Sequence, residues 1–576
     1  MRGRSAVGYV VKVDGATIVL NLLETHKGQV AAHEGGVSSV AQPGDYLGIP
    51  TGALLVIVKV QSVEFMEPRE AHTRGVGTTE SFDEPLRQMS TASIGYIQRE
   101  NGALHFVAES WKLPALGAEA FPLSDAELHV ALHALPANDR PLSLGWDARS
   151  GTAEVVVGIN SLLSRHSAVL GGTGQGKTHF VAALAQQLFT LPRSRIIIFD
   201  VNGEYAPAVS GLGVRVKVTK LGSGYRIPYY ALGRNGLARL VLPSDRAQMP
   251  AFRFAVEHLQ YVVADKEGAR LTDRDSNELF DDCRNSGADL ALKALEDIRS
   301  NKAKKADQWP HMRALSCLAA EWYVLKRDRN NVPTRDAFLY GHVCSLVNRI
   351  RGLTEDPRFL DVVDVEGGEP CDAQLDWTCE SRMMVEKFFG KKRSGKRGWR
   401  VHLVDLSSVT KDLMPFVLGS LLEAYASEIF KRGPGKTHPT LLILEEAHHY
   451  LRELPGEEEG VRQALAYERL AKEGRKFGLS LMVCTQRPGE LSPTVLAQCG
   501  TWFVFRLTNE ADQKAVSSGA EVADKLTLKE IPGLPRGQAV VMGNAVPFPQ
   551  RVSVVRPDPE PKSDDPRFVK EWSEAG

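Results

Sequence analysis

The chain has no excess of charge of either sign, no paired-cysteine motif and no long apolar run. Lysine plus arginine number 70, and so do aspartate plus glutamate, in 576 residues. Nucleic-acid contact would therefore need a local basic surface rather than bulk charge. The seven cysteines (Cys283, Cys317, Cys344, Cys371, Cys379, Cys484 and Cys499) form no CxxC pair and keep no zinc-like spacing with histidine. They read as reduced thiols, so neither a disulfide framework nor a structural metal is expected. No apolar stretch approaches the roughly 20 residues that span a bilayer. The start, Met1-Arg-Gly-Arg-Ser-Ala-Val, meets the charged Lys12 and Asp14 where a signal peptide would carry its apolar segment. The expectation is a soluble cytoplasmic protein with no membrane contact.

The length is enough for about three structural units with a large core. The first part alternates short apolar runs with turns: Val7 to Val13, Asp14-Gly15, Ala16 to Leu22, then Leu54 to Val60, and Ser93 to Arg99 joined through Asn101-Gly102 to Leu104 to Val107. Strands at this spacing predict a small β-barrel over 1–140. From Pro141 the pattern becomes strand, glycine-rich turn and helix, that of a parallel α/β sheet. Ile196 to Phe199 is apolar throughout, as in a strand buried on both faces. Residues 245–395 turn helical, with Phe254, Leu259 and Val262 on one face and Leu315, Leu318, Trp322 and Leu325 on another, and read as an inserted bundle. The α/β pattern resumes over 396–556 through Val401 to Asp405, Leu441 to Leu444 and Leu479 to Val483. A Pro-rich, extended tail follows at 557–576.

Gly171-Gly172-Thr173-Gly174-Gln175-Gly176-Lys177-Thr178 fits GxxxxGK[ST] between a strand ending at Leu170 and a helix from His179 to Phe189. Backbone N–H groups of such a loop curl around the β-phosphate of ATP. Lys177 reaches the β and γ oxygens, and Thr178 ligates Mg²⁺. The loop needs acidic partners on a neighbouring strand, and Glu445-Glu446 end the apolar run Leu441 to Leu444. Glu445 would support the metal and Glu446 would serve as general base.

Beyond the loop, the chain resembles the HerA-type translocases of the HerA/FtsK group of P-loop ATPases. The residues that carry the likeness are Arg165-His166, Asp200-Val-Asn-Gly-Glu204-Tyr205, Glu445-Glu-Ala-His448, Lys472-Glu-Gly-Arg475-Lys-Phe-Gly478, Thr485-Gln486-Arg-Pro488, Leu491 to Gln498 and Arg506-Leu-Thr-Asn509. The resemblance covers nearly the whole chain. It implies a RecA-like core with a barrel like the family's HAS barrel and a helical insertion. It also implies a homohexameric ring with ATP between subunits and double-stranded DNA in the centre, and a partner nuclease or other effector in DNA-end processing or antiphage defence. Arg165 and Arg475 are the candidate arginine fingers, and Gln486 the sensor of the γ-phosphate. Asp200 and Glu204, ending a strand next to the P-loop, would position water or report nucleotide state, unless Asp200 merely caps its turn. Glu445 departs from many relatives, which carry aspartate, and the extra methylene loosens metal geometry.

The strongest basic run includes Lys391, Lys392, Arg393, Lys396 and Arg397. It is either a phosphate contact or a solvated loop. Pro557-Asp-Pro-Glu-Pro-Lys562 superficially matches a nuclease signature, but its prolines forbid the required strand. His448 and His449 lack further ligands at metal spacing and read as core or interface histidines. The rival expectation is an ATP-gated ring scaffold that assembles an effector without translocating. A membrane-borne coupling ATPase is disfavoured for want of a membrane segment.

Overall fold

The computed structural model describes residues 5–23, 30–33, 36–39, 42–66, 86–100, 102–109, 111–136, 138–244, 247–262, 292, 295–301, 305–372, 374–391, 398–451, 466–520, 525–562 and 572. The chain divides into two compact units. One takes in Met1–Leu163, Gly171–Gly176 and Gly500–Val555, the other Ser164–Leu170, Lys177–Cys499 and Arg556–Gly576.

In the first unit, Gly8–Asp14 and Thr17–Leu22 form the expected antiparallel hairpin, with Gly15 in the left-handed region at φ 57° where the chain reverses. Thr17–Leu22 pairs on its other side with Leu86–Glu100. That pairing closes a six-stranded barrel through Glu119–Pro122, Tyr46–Thr51 and Leu54–Met66, while Ala103–Val107 continues outside the ring. Val10, Ile18, Leu20, Leu47, Ile49, Val56, Val58 and Met89 fill the interior, as the period-two pattern requires. Two strands run longer than the sequence predicts. The added lengths pair with each other from Ser62↔Ser90 to Met66↔Leu86 and leave Phe65 exposed. The same unit contains antiparallel strands in the order Glu154–Gly158, Pro141–Asp147, Gln550–Val554, Gln538–Gly543 and Cys499–Val504.

The second unit is built on six parallel strands in the order His166–Leu170, Leu479–Thr485, Thr440–Leu444, Ile196–Asp200, Val401–Asp405 and Val216–Lys220. Every residue of the first four is buried, in keeping with their largely apolar sequences. This is the RecA-like α/β core. The order corrects two expectations. The Glu445 strand is separated from the P-loop strand by Leu479–Thr485, and the strand ending in Asp200 lies one place farther still. Order in a parallel sheet follows crossover connections, which apolar runs of equal quality do not encode.

The described residues of 245–395 are mainly helical, with Gln248–His258, Ala337–Glu355, Pro357–Val362 and Trp377–Phe389. Leu315 lies in the short helix Ala314–Cys317, and Leu318 and Trp322 in a π-helical stretch. Leu325, expected on the same helix face, instead begins a hairpin strand. The Asp328 carboxylate draws the chain round by accepting from the N–H groups of Asn330 and Val332, both at 2.8 Å. Cys371 and Cys379, expected as free thiols, are joined in a disulfide. The intervening loop folds back onto Trp377–Phe389, where the Cys371 N–H donates to Glu380 Oε1 at 2.8 Å. The described part of the tail runs along the P-loop helix Lys177–Phe189: Asp558 N–H donates to Gln186 Oε1 at 3.0 Å, and Gln186 Nε2 to Pro559 O at 2.9 Å.

Candidate active site at the end of the parallel sheet

The strands of the second unit all point the same way, so their C-terminal ends share one edge. The register puts Leu170 opposite Thr485, Val483 opposite Leu444, and Leu444 opposite Phe199. Lys177, Glu445, Glu446, Thr485 and Asp200 therefore gather where a parallel sheet ordinarily binds its ligand. The nucleotide loop begins at Gly171 with φ 156°, and a Cβ there would stand 2.5 Å from Phe505 Cβ, so this backbone requires glycine. The loop is held by Gly172 N–H donating to Arg506 O at 2.9 Å and Gly537 N–H donating to Gln175 O at 3.0 Å. Lys177, the first residue of the helix Lys177–Phe189, is buried at 6% exposure, and Thr178 is half-buried.

The two glutamates have different environments. Burial pushes Glu445 up to about 7, assisted by the charge of Glu446 and opposed by Lys177 and by a hydrogen bond from Cys484. Its Oε2 is buried with no hydrogen-bond partner among the described residues, while its backbone O accepts from Tyr450 OH at 2.9 Å. Burial acts on Glu446 in the same sense. It is outweighed by His448, by the Lys177 charge and by the Gln486 N–H, so this carboxyl lies below its ordinary value. Two adjacent carboxyls are thus driven apart, one held ionised and one poised near neutrality, which is the separation that acid–base chemistry uses. Glu446 also adopts φ 44°, ψ 46°, a left-handed backbone rare for a residue with a side chain.

Asp200 is fully buried, and its two oxygens accept from Gly203 N–H at 2.8 Å, Glu204 N–H at 3.1 Å and Tyr205 N–H at 2.9 Å. Burial raises its carboxyl to about 6 against these three donors, with Asp405 adding to the rise. Both oxygens are thus used in shaping the turn. Glu204 is half-buried, and its backbone O accepts from Lys562 N–H at 2.9 Å. Gln486 follows the strand Leu479–Thr485 directly and is half-buried.

Arg165 and Arg475 lie elsewhere. Arg165 immediately precedes the strand His166–Leu170, and Arg475 occupies the 3-10 turn Gly474–Phe477 ahead of Leu479–Thr485, so both stand exposed at the starting edge of the sheet. His166 binds these two segments together. Its Nδ1 accepts from Leu481 N–H at 3.0 Å, and its Nε2 therefore donates to Ala471 O at 2.8 Å. Burial lowers its pKa, and the nearby Arg475 charge lowers it further. Of the basic run, Lys391 is exposed, and Lys392, Arg393, Lys396 and Arg397 lie outside the described residues.

The donor set suits magnesium nucleotide. A threonine hydroxyl and one carboxylate leave most of an octahedral shell to water and phosphate, as Mg²⁺ prefers, and the unpartnered Oε2 of Glu445 is an acceptor awaiting a donor or a cation. What the sequence did not reveal is the lining of Glu445 by Tyr205, Tyr450 and Cys484, all buried, and the placement of His448 against Glu446. The lining comes from three separate segments. His448 stands two residues beyond Glu446, close enough to have been weighed as its partner rather than as a metal ligand.

The family model described as the central domain of helicase HerA matches residues 143–330. The DNA double-strand break repair helicase HerA of Sulfurisphaera tokodaii is 23% identical over 428 residues, covering 73% of this chain and 71% of its own length. A probable helicase of Methanocaldococcus jannaschii is 24% identical over 540 residues, 89% of each chain. Among solved structures, VirB4 of Thermoanaerobacter pseudethanolicus is 13% identical with a TM-score of 0.43, covering 73% of this chain and 98% of that one. With sequence likeness running far beyond the nucleotide loop and over most of the chain, this ATP-hydrolysing protein is similar to the HerA-type P-loop ATPases.

Proposed function

We propose that the chain is a DNA translocase or helicase that assembles as a homohexameric ring around double-stranded DNA and serves a partner nuclease or other effector, in DNA-end processing or antiphage defence. In this reading 1–140 is the barrel, 141–244 and 396–556 the motor, 245–395 the helical insertion and 557–576 a tail. The relatives named as HerA helicases support the DNA substrate. The observation that carries the ring is the position of the arginines. Arg165 lies one strand length from its own subunit's nucleotide loop, about 17 Å for the five residues of His166–Leu170, so a cation there can serve catalysis only from a neighbouring subunit.

In the proposed mechanism the P-loop N–H groups and Lys177 hold the β and γ phosphates. Gln486 contacts the γ-phosphate and aligns the water, and Glu446, ionised at neutral pH, takes the proton as the water oxygen bonds to phosphorus and the bond to ADP breaks. Thr178 and Glu445 would hold Mg²⁺, which supplies charge neutralisation at the transferred phosphoryl. Asp200, with both oxygens engaged, maintains the turn that carries Glu204. Arg165 and Arg475 of the adjacent subunit stabilise the charge that develops on the phosphoryl oxygens.

Mixing two inactive proteins tests this. Arg165→Ala retains its own P-loop, and Lys177→Ala retains Arg165. Co-assembled from dissociated subunits, the pair creates interfaces holding every catalytic group, so ATPase activity returns and varies with the mixing ratio. Mixed rings as inactive as either parent, beside wild-type rings that recover under the same treatment, would refute action in trans.

A further inference from the structure

We infer that His448 is a positioning residue that orients the Glu446 carboxylate and ties it to the strand carrying the γ-phosphate sensor; this rests on Glu446 being the general base. His448 is buried at 4% exposure. Its Nδ1 makes a hydrogen bond with Thr485 Oγ1 at 3.0 Å and lies 3.2 Å from Glu446 Oε2. The second contact fixes the proton. A carboxylate oxygen is an acceptor only, so a bare Nδ1 lone pair at that distance would repel it; Nδ1 carries the hydrogen and faces both oxygens.

Thr485 ends the strand Leu479–Thr485, and Gln486 comes next. Thr485 Oγ1 accepts in addition from the Arg487 N–H at 3.0 Å, which anchors it to the backbone that leads out of the strand. Glu446 is therefore met twice from the same strand end, by a hydrogen bond from the Gln486 N–H and by the His448 ring, which Thr485 holds. The contact with Glu446 Oε2 is at ion-pair distance yet completes no hydrogen bond. Catalytic contacts are often loose before the substrate complex forms. Glu446 also holds a left-handed backbone, which costs energy and persists only where the surroundings determine it. When the γ-phosphate draws Gln486 inward, the strand end moves with it, and His448 carries that displacement to the base. The proton taken from water goes to Glu446 throughout; His448 holds and aims.

Four variants separate this from a packing role. His448→Phe keeps a ring and removes the donor, whereas His448→Asn removes the ring and keeps an N–H₂ near the place of Nδ1–H. His448→Phe should bind a non-hydrolysable ATP analogue within about threefold of wild type and lose ~10²-fold in kcat, the lower end of a general-base contribution. His448→Asn should recover to within about tenfold of wild type. At the other end of the link, Thr485→Val should lower kcat and Thr485→Ser restore it, and the pair His448→Phe with Thr485→Val should cost less than the two effects added. The inference is overturned if His448→Phe turns over normally, or if folded His448→Asn is as slow as Glu446→Gln. Should His448→Phe not fold, wild-type kcat in Thr485→Val overturns it equally. Glu446→Gln, assayed alongside, isolates the premise: full activity in that variant sinks the base assignment itself, whereas an inactive Glu446→Gln beside an active His448→Phe sinks only the positioning role.

Discussion

Glu445 gives a stability signature that can be measured without nucleotide. Its carboxyl ordinarily titrates at 4.5, and burial with the adjacent Glu446 charge carries it to about 7 in the folded chain. A folded-state value above the unfolded one means that the contribution of this group is fully present below about pH 4.5 and is lost as pH rises through about 7. At 1.36 kcal/mol per tenfold change in acidity, moving from about pH 5 to about pH 8 costs the folded state about 2–3 kcal/mol through this one side chain. Glu445→Gln has the size of the neutral acid and no charge to bury. The variant should match wild type near pH 5 and exceed it by about 2 kcal/mol near pH 8, read as the denaturant midpoint of the nucleotide-free protein. Groups remote from the site are common to both proteins and drop out of the difference, while the repulsion between Glu445 and Glu446 is removed by the substitution and is part of the expected gain. A Glu445→Gln protein that is equally stable at both pH values, or less stable than wild type near pH 8, would refute the claim that this carboxylate is destabilised where it sits. Adding magnesium nucleotide should shrink the gap, because a cation at Oε2 stabilises only the ionised wild type.

Lys177→Ala should abolish ATP hydrolysis while leaving far-UV circular dichroism unchanged, since it removes the charge that holds the β and γ phosphates; turnover at the wild-type rate would overturn the nucleotide site. Changing Lys391, Lys392, Arg393, Lys396 and Arg397 together to alanine should weaken DNA binding and reduce its salt slope by up to about 0.9 for each phosphate no longer neutralised, with DNA-independent ATPase intact. An unchanged slope identifies the run as a solvated loop.

The fold was legible wherever periodicity or a turn dictates one outcome. Ile196–Asp200 reads as buried on both faces because every side chain is apolar until Asp200, and the Gly8–Leu22 hairpin reads from alternation across a glycine turn. The nucleotide loop was legible because its glycines and Lys177 are contiguous. Strand order was not, since Thr440–Leu444 and Ile196–Asp200 are equally apolar and nothing within either states its neighbour. The end of the helical run at Leu325 was missed because a carboxylate-capped turn at Asp328 outweighs an apolar stripe. The Glu446–His448–Thr485 link depends on the alignment of two strands from distant parts of the sequence, and on a backbone angle at Glu446 that composition does not signal.

Charge at the site leads back to the arginines. Lys177 faces Glu445 and Glu446, so before any ligand arrives its positive charge already acts on two carboxyls. The phosphates of ATP bring several more negative charges into a partly buried place, where unbalanced charge is costly. Magnesium held by Thr178 and Glu445 would offset part of this in the ground state, yet charge builds further on the phosphoryl oxygens as the bond to ADP lengthens. A cation already fixed beside the site would be spent on the ground state; one delivered on the edge of a neighbouring subunit can be reserved for the transition state. Within one subunit Arg165 and Arg475 are fastened to the opposite end of the sheet through His166, whose two nitrogens join the start of the P-loop strand to Leu481 and Ala471. That fastening joins the segments that carry both arginines at the starting edge of the sheet, where both are exposed. A protein with this arrangement should hydrolyse ATP slowly as a separated subunit and faster as neighbours close upon it, so ATPase rate per subunit should rise with protein concentration through the assembly transition. A rate per subunit that stays constant across dissociated and assembled protein would mean that the site is complete on its own.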